Sequence, residues 1–398
     1  MSPPALIASP GRRLVFGGLL MWVMVAATVF TVTIPVIATF LIDDFGISRT
    51  ELGSLGSVGA LLAAVSSPFA GRLTDRIGGR NAALIVLTGA TGAAVLFAVS
   101  PVFGAMFGGA VVAAISGAGG NPGTNKLIAA FLEPGRRGFI TGLKQTGPQV
   151  GSFFAGLLAP WGATTFGWRS TMVVIGLLMV LSIPLAMRVV PPDRPRPADR
   201  RPSDGPLPAG IWWVAVYGSL LGFGGSATFL LPLFVEESLG ESPRVAGVAA
   251  ALLGGVAIAG RLQWARIAER KASPAPTLAI LAVTSVVAMA FMLTSIDAGT
   301  GWMWVGTVVL GLSSSSWTSV GAIAVIAIAG SKAAGRASGI VWFGFLAGLG
   351  LGPPLYGFTV DETSSYAPMW WIALGSFALA AVVAVTWMRT QRRTPRTG

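Results

Sequence analysis

The sequence contains no cysteine and no histidine. Without cysteine there is no disulfide framework, no thiolate metal site and no thiol chemistry. Without histidine the usual proton shuttle near neutral pH is missing, and so is the commonest metal ligand. Charge is also scarce: Asp, Glu, Lys and Arg make up 11% of the 398 residues, against roughly 25% in an ordinary soluble domain. Too little polar surface remains to cover the core of a soluble protein of this size. These shortages exclude a soluble enzyme, a disordered chain and a nucleic-acid-binding module. No metal-ligand cluster and no nucleophile–base pair is visible, so neither an enzyme nor a cofactor is expected.

Apolar residues are abundant: 53% of the chain is hydrophobic, and the mean hydropathy is +0.74. The apolar runs predict an all-α membrane protein with twelve transmembrane helices, each of roughly 20 residues or more. They fall at 14–41, 53–70, 82–100, 103–131, 138–165, 169–190, 209–235, 244–260, 275–296, 302–330, 334–357 and 366–388. Arg12 and Arg13 precede the first run, which has no small-residue cleavage site and reads as a retained span. Glycines such as Gly117, Gly119 and Gly120 lie inside a span with no strand before them, so they read as helix-packing glycines rather than a phosphate loop.

The net charge of +12 resolves once the charges are placed. One alternate set of loops and tails holds 22 basic residues and six acids; the other holds Arg49, Arg169 and Arg244 against nine acids. This segregation requires an even number of spans and puts both termini in the cytoplasm. Trp161, Trp168, Trp302, Trp304, Trp370 and Trp371 fall at outer ends, where an interfacial belt is expected.

Residues 191–208 are Pro-rich, charged and cytoplasmic, and read as a linker between bundles at 1–190 and 209–398. The halves echo each other: Gly71-Arg72-Leu73 after the second span answers Gly260-Arg261-Leu262 after the eighth. Two six-helix repeats of like orientation suggest a rocking carrier with its substrate site near mid-membrane, between the halves. The segment GRLTDRIGGR at 71–80 resembles the cytoplasmic signature loop of the major facilitator superfamily, matching at Gly71, Asp75, Arg76, Gly78 and Arg80. The second copy lacks the acid. The resemblance covers the whole chain and implies the major facilitator fold, with Gly71, Arg72, Asp75, Arg76 and Arg80 as an inner gate. Gly71 is expected to allow close helix packing, and Asp75 to pair with Arg72 or Arg76 or to cap a helix.

No Asp, Glu or Arg lies deep in a predicted span, but Lys126 and Lys144 do. A basic residue at the bilayer centre costs about 3 kcal/mol or more, which makes both functional candidates. Lys126 precedes Glu133 by seven residues and Lys144 follows Arg137 by seven, on opposite arms of one hairpin. At 1.5 Å per residue both stand about 10 Å from the turn. Two cations at one level would form an electropositive pocket for an anion. The plainer alternative is that both stems snorkel to water. Against that, aligning Gly142 with Gly339 sets Val341 opposite Lys144, whereas a topology signal should act on both halves.

Asn125, Gln145 and Gln149 offer neutral hydrogen bonds nearby, and Ser313–Ser319 is an unusually polar run that includes Ser315 and Trp317. Trp22 and Trp342 lie deeper than belt positions. A wall of Trp and Ser opposite two lysines suits a small anion with a planar or apolar part. The hairpin at 121–151 resembles prokaryotic cyanate, nitrate and organic-anion permeases of the superfamily, most at Gly142-Leu143-Lys144-Gln145-Thr146-Gly147.

The expected function is secondary active transport of a small anion, an organic carboxylate, by alternating access. Burial disfavours an ammonium and a bound anion favours it, so a lysine taking up a proton with the anion would give symport. The alternative is a multidrug or metabolite exporter of the same superfamily, though a cationic drug would find no acid in the membrane. The expected partners are the substrate, the lipid bilayer and a coupling proton, with no nucleic acid. The expected setting is a monomer in the plasma or inner membrane.

Overall fold

The structure is a computed structural model and describes residues 10–133, 137–192, 206–269 and 273–393. Among these, every regular element is helical. Hydrocarbon supplies no partner for backbone N–H and C=O groups, so a spanning chain must satisfy them within each segment.

Among the described residues ten helices are long and apolar enough to cross a membrane, including Gly11–Val36, Phe103–Phe131, Trp168–Val189, Gly210–Ser238, Pro243–Ala268 and Thr300–Gly330. The second span is a bent pair, Arg49–Ser67 and Phe69–Ile77, at 56° across Pro68, where a proline removes a ladder hydrogen bond. The fifth is built from Arg137–Gln145 and Gly147–Phe166. Each of the twelve expected spans thus has its helix. The eighth runs on to Glu269, nine residues beyond its expected end, which places Arg261 inside it.

Two compact units emerge: Met1–Ile47 with Leu61–Arg200, and Ser48–Ala60 with Arg201–Gly398. The start of the second span therefore packs in the second unit. Most of the expected linker, residues 193–205, lies outside the described residues.

In the first unit the sixth span shows why water is the wrong solvent. Val173, Val174, Leu177, Leu178 and Leu181 are each 50–70% exposed, a patch that only lipid accommodates. Inward-facing positions use small residues instead. Gly117 and Gly120 lie against Ala27 of the first span, as expected of packing glycines. The repeats share a backbone device: Gly46 after the first span and Gly240 after the seventh both turn through positive φ, 64° and 69°, which glycine adopts without steric cost. Of the expected belt, Trp161, Trp302 and Trp371 are exposed. Trp168 and Trp370 correct that expectation, since both are buried. The Trp168 indole donates to Asp44, and Trp370 packs edge-on against Phe234.

Candidate functional site

Two prolines shape the hairpin formed by the fourth and fifth spans. Pro148 cannot donate to the carbonyl of Lys144, and the helix breaks at Thr146. Pro122 likewise leaves the carbonyl of Ala118 without its helical donor, and the fourth span breaks at 118–119. Lys144 sits just before one break, and Asn121 and Thr124 lie just after the other.

The Lys144 side chain is 0% exposed. Its Nζ donates to Asn121 Oδ1 at 3.0 Å and to Thr124 Oγ1 at 2.9 Å. The Thr124 hydroxyl spends its own proton on the Gly120 carbonyl at 2.7 Å, which turns a lone pair toward the ammonium. Gly147 brings the fifth span onto the backbone of Met21 in the first, where a Cβ would collide. An ammonium has three donors, and two find protein acceptors here. Among the described residues no carboxylate lies within ion-pair distance of Lys144.

Lys126 departs from the expected pairing. Its Nζ donates to the Thr74 and Asp75 carbonyls at 3.0 and 2.9 Å and lies 3.5 Å from Asp75 Oδ1. The stem carries the charge to the last turn of the second span, where carbonyls and the helix dipole favour a cation. The two lysines are therefore not a bare pair, and Asp75 pairs with Lys126 rather than with Arg72 or Arg76. Arg80 donates to the Met187 carbonyl at the end of the sixth span, and Arg137 to the Leu132 and Ala129 carbonyls at the end of the fourth. Each of these cations serves a different helix C-terminus. Arg72 and Arg76 are exposed. Gly71 also corrects its expectation, since a Cβ there would meet nothing, whereas at Gly79 it would strike the Gly123 carbonyl and Leu127. The close approach lies eight residues further on.

The other expected residues distribute unevenly. Asn125 and Gln145 are exposed on the same hairpin, while Gln149 is buried. The buried Trp22 indole N–H has no acceptor among the described residues. In the second unit Trp317 is no cavity wall: it is 2% exposed and sits among Tyr217, Trp342 and Phe345, with Trp342 at the open side of the cluster. The serine run is a helix break. The turn at Ser314–Ser316 is 3-10, and side chains take the freed carbonyls: Arg261 bonds that of Ser315 at 3.0 Å and Trp264 that of Leu312 at 2.7 Å. Ser315 thus holds Arg261 through its backbone carbonyl.

Sequence reasoning missed Asn121, Thr124 and Arg261. The first two were findable, since their i, i+3 spacing gives them one helix face. Arg261 was hidden because hydropathy marks the end of the hydrocarbon and not the end of the helix.

Residues 19–345 match the Major Facilitator Superfamily. Similar sequences include a gallate transporter of Pseudomonas putida, 30% identical over 161 residues, 39% of this chain and 34% of that protein. A gentisate transporter of Corynebacterium glutamicum is 26% identical over 220 residues, 50% of this chain and 48% of that protein. The chain thus spans a third to a half of the length of these two. A nitrite extrusion protein of Bacillus subtilis is 22% identical over 386 residues, 94% of this chain and 92% of that protein. Among solved structures, a bacterial homolog of the human lysosomal transporter Spinster, inward-facing and occupied, shares the fold: its TM-score is 0.76 at 17% identity, over 97% of this chain and 98% of that one. Twelve helical spans in two repeats, with a family match over most of the sequence, place this multi-pass membrane protein among the transporters, not the enzymes, of the major facilitator superfamily.

Proposed function

We propose that the chain is a secondary active transporter of a small anion, an organic carboxylate, and that it works by alternating access with Lys144 as the counter-charge. One observation carries this: a wholly buried ammonium held by an amide and a hydroxyl oxygen, with no carboxylate to neutralise it among the described residues. In a low-dielectric bundle such a group attracts an anion and repels a cation. The relatives named for gallate, gentisate and nitrite support the same substrate class. The exposed amides of Asn121, Asn125 and Gln145 supply neutral donors beside the charge. Asp75, Lys126 and Arg80, seated on helix ends, belong to the gate rather than to the substrate.

The charge segregation further supports a setting in the plasma or inner membrane with both termini cytoplasmic; we take the working unit to be a monomer. A proton carried on Lys144 together with the anion makes the process symport. Transport in proteoliposomes that ignores a proton gradient while still requiring Lys144 would remove that coupling.

A thermal-shift screen of the purified chain tests the substrate class. Gallate, gentisate, nitrate and cyanate form one set, and neutral and cationic dyes the other. A ligand of the folded state raises its apparent stability as concentration passes the dissociation constant. Stabilisation by a carboxylate that disappears in Lys144→Gln is the expected result. Stabilisation by dyes alone, equal in both proteins, favours the multidrug exporter instead.

A further inference from the structure

Water does not reach Lys144. Its side chain is 0% exposed, whereas Asn121, whose amide lies on its ammonium, is exposed. An ammonium only donates, so the amide atom 3.0 Å from Nζ is the oxygen Oδ1. That settles which way the amide is turned: Nδ2, with its two protons, points away from the lysine. The backbone of the same residue is held as well, since its carbonyl shares the Thr124 hydroxyl with that of Gly120, at 3.2 and 2.7 Å. Among the described residues Nδ2 itself has no acceptor.

The neighbours show what Asn121 faces. Asn125, one turn further along, is exposed, and so is Gln145 beside Lys144. Three primary amides set against lipid would each forfeit the hydrogen bonds of water. This part of the hairpin therefore faces water within the membrane rather than hydrocarbon. The exposed stretch of the sixth span is valine and leucine instead. An anion arriving from the water meets Nδ2 first. To reach Nζ it would have to push Asn121 aside and break the 3.0 Å bond; docking on Nδ2 breaks nothing. The ammonium is still felt there, because a cation on the amide oxygen polarises the amide and makes its N–H groups stronger donors.

We propose, on the anion reading above, that Asn121 is the residue that touches the substrate and that Lys144 acts through it. The ammonium holds Oδ1, and Nδ2 donates to an oxygen of the substrate's oxyanion group. Asn121 is then the specificity-determining contact and Lys144 a positioning residue. A cation gains nothing at such a donor.

Calorimetric titration of the full-length protein with gallate and with nitrate tests this in wild type, Asn121→Ala, Asn121→Ser, Lys144→Gln and the double variant Asn121→Ala/Lys144→Gln. Alanine uncovers Lys144 and removes the donor. Asn121→Ala is expected to bind about 10- to 100-fold more weakly, the value of one charge-assisted hydrogen bond. Serine keeps an oxygen for Lys144 and one proton for the anion, so Asn121→Ser is expected between wild type and Asn121→Ala; it decides the matter should the alanine variant not fold. Because Lys144 acts through Asn121, the double variant should bind within about threefold of the weaker single variant. Binding in Asn121→Ala or Asn121→Ser as tight as in wild type overturns the proposal, since the anion then meets Nζ directly. Losses that multiply in the double variant overturn it too, since they mean two independent contacts. In both of these cases wild type still binds and the anion reading stands; a wild type that binds neither gallate nor nitrate removes the anion reading and this contact together.

Discussion

A buried lysine without a counter-ion is a cost that the empty protein carries, whether the amine keeps its proton or gives it up. Charges in a low-dielectric interior are tolerated only when hydrogen-bonded or paired, and Lys144 has hydrogen bonds alone. Lys144→Met is therefore expected to leave the ligand-free melting temperature unchanged or higher, by about 1 kcal/mol of stability, while abolishing anion transport. A marked loss of ligand-free stability would show that the lysine serves the fold. Thr124→Val removes an acceptor from the same group and should destabilise by about 1–3 kcal/mol; in the Lys144→Met background most of that cost should vanish, which a double-mutant cycle measures. Depth along a helix was legible in the sequence, and it singled out both lysines. The direction of each stem was not. A Lys side chain reaches more than a turn, and only the folded neighbour decides whether a carbonyl cluster, as for Lys126, or an amide and a hydroxyl, as for Lys144, receives the charge.

At the scale of elements, cations on helix C-termini organise the Asp75 side of the first unit. Lys126 serves the second span, Arg137 the fourth and Arg80 the sixth. Arg80→Gln should destabilise by about 0.5–2 kcal/mol through the loss of a charge at a helix end, without weakening anion binding. Close packing separates the glycines of the signature loop. Gly79→Val must displace the Gly123 carbonyl or Leu127 and should cost about 1–3 kcal/mol, whereas Gly71→Ala has open space and should be neutral within about 0.5 kcal/mol. Melting curves of the two variants decide this. The positions of the twelve spans were legible because long apolar runs have one use. Helix ends were less so: the second and eighth helices continue past their apolar stretches, and the serine run that reads as a polar lining is a 3-10 turn whose carbonyls are taken by Arg261 and Trp264.

For the whole molecule, the charge pattern and the family agree on a multi-pass carrier. The segregation of 22 basic residues to one set of loops predicts that tags at either end of the chain are digested by protease only from the cytoplasmic side of oriented vesicles. Digestion of the two tags from opposite sides would mean an odd number of spans. The ion pairs of Arg49 with Glu237 and Asp361 could not be foreseen, because those partners lie about 190 and 310 residues away along the chain. Nothing local to the motif Ser48-Arg49-Thr50-Glu51 marks it as more than a good helix start. The central claim, that Lys144 and not Lys126 supplies the anion's counter-charge, is tested most directly by calorimetric titration of gallate, with wild type, Lys144→Gln and Lys126→Gln compared in one buffer. The account predicts that Lys126→Gln binds within about threefold of wild type and that Lys144→Gln is weaker by about 10- to 100-fold, the value of one charge-assisted hydrogen bond; equal affinity in wild type and Lys144→Gln would contradict it.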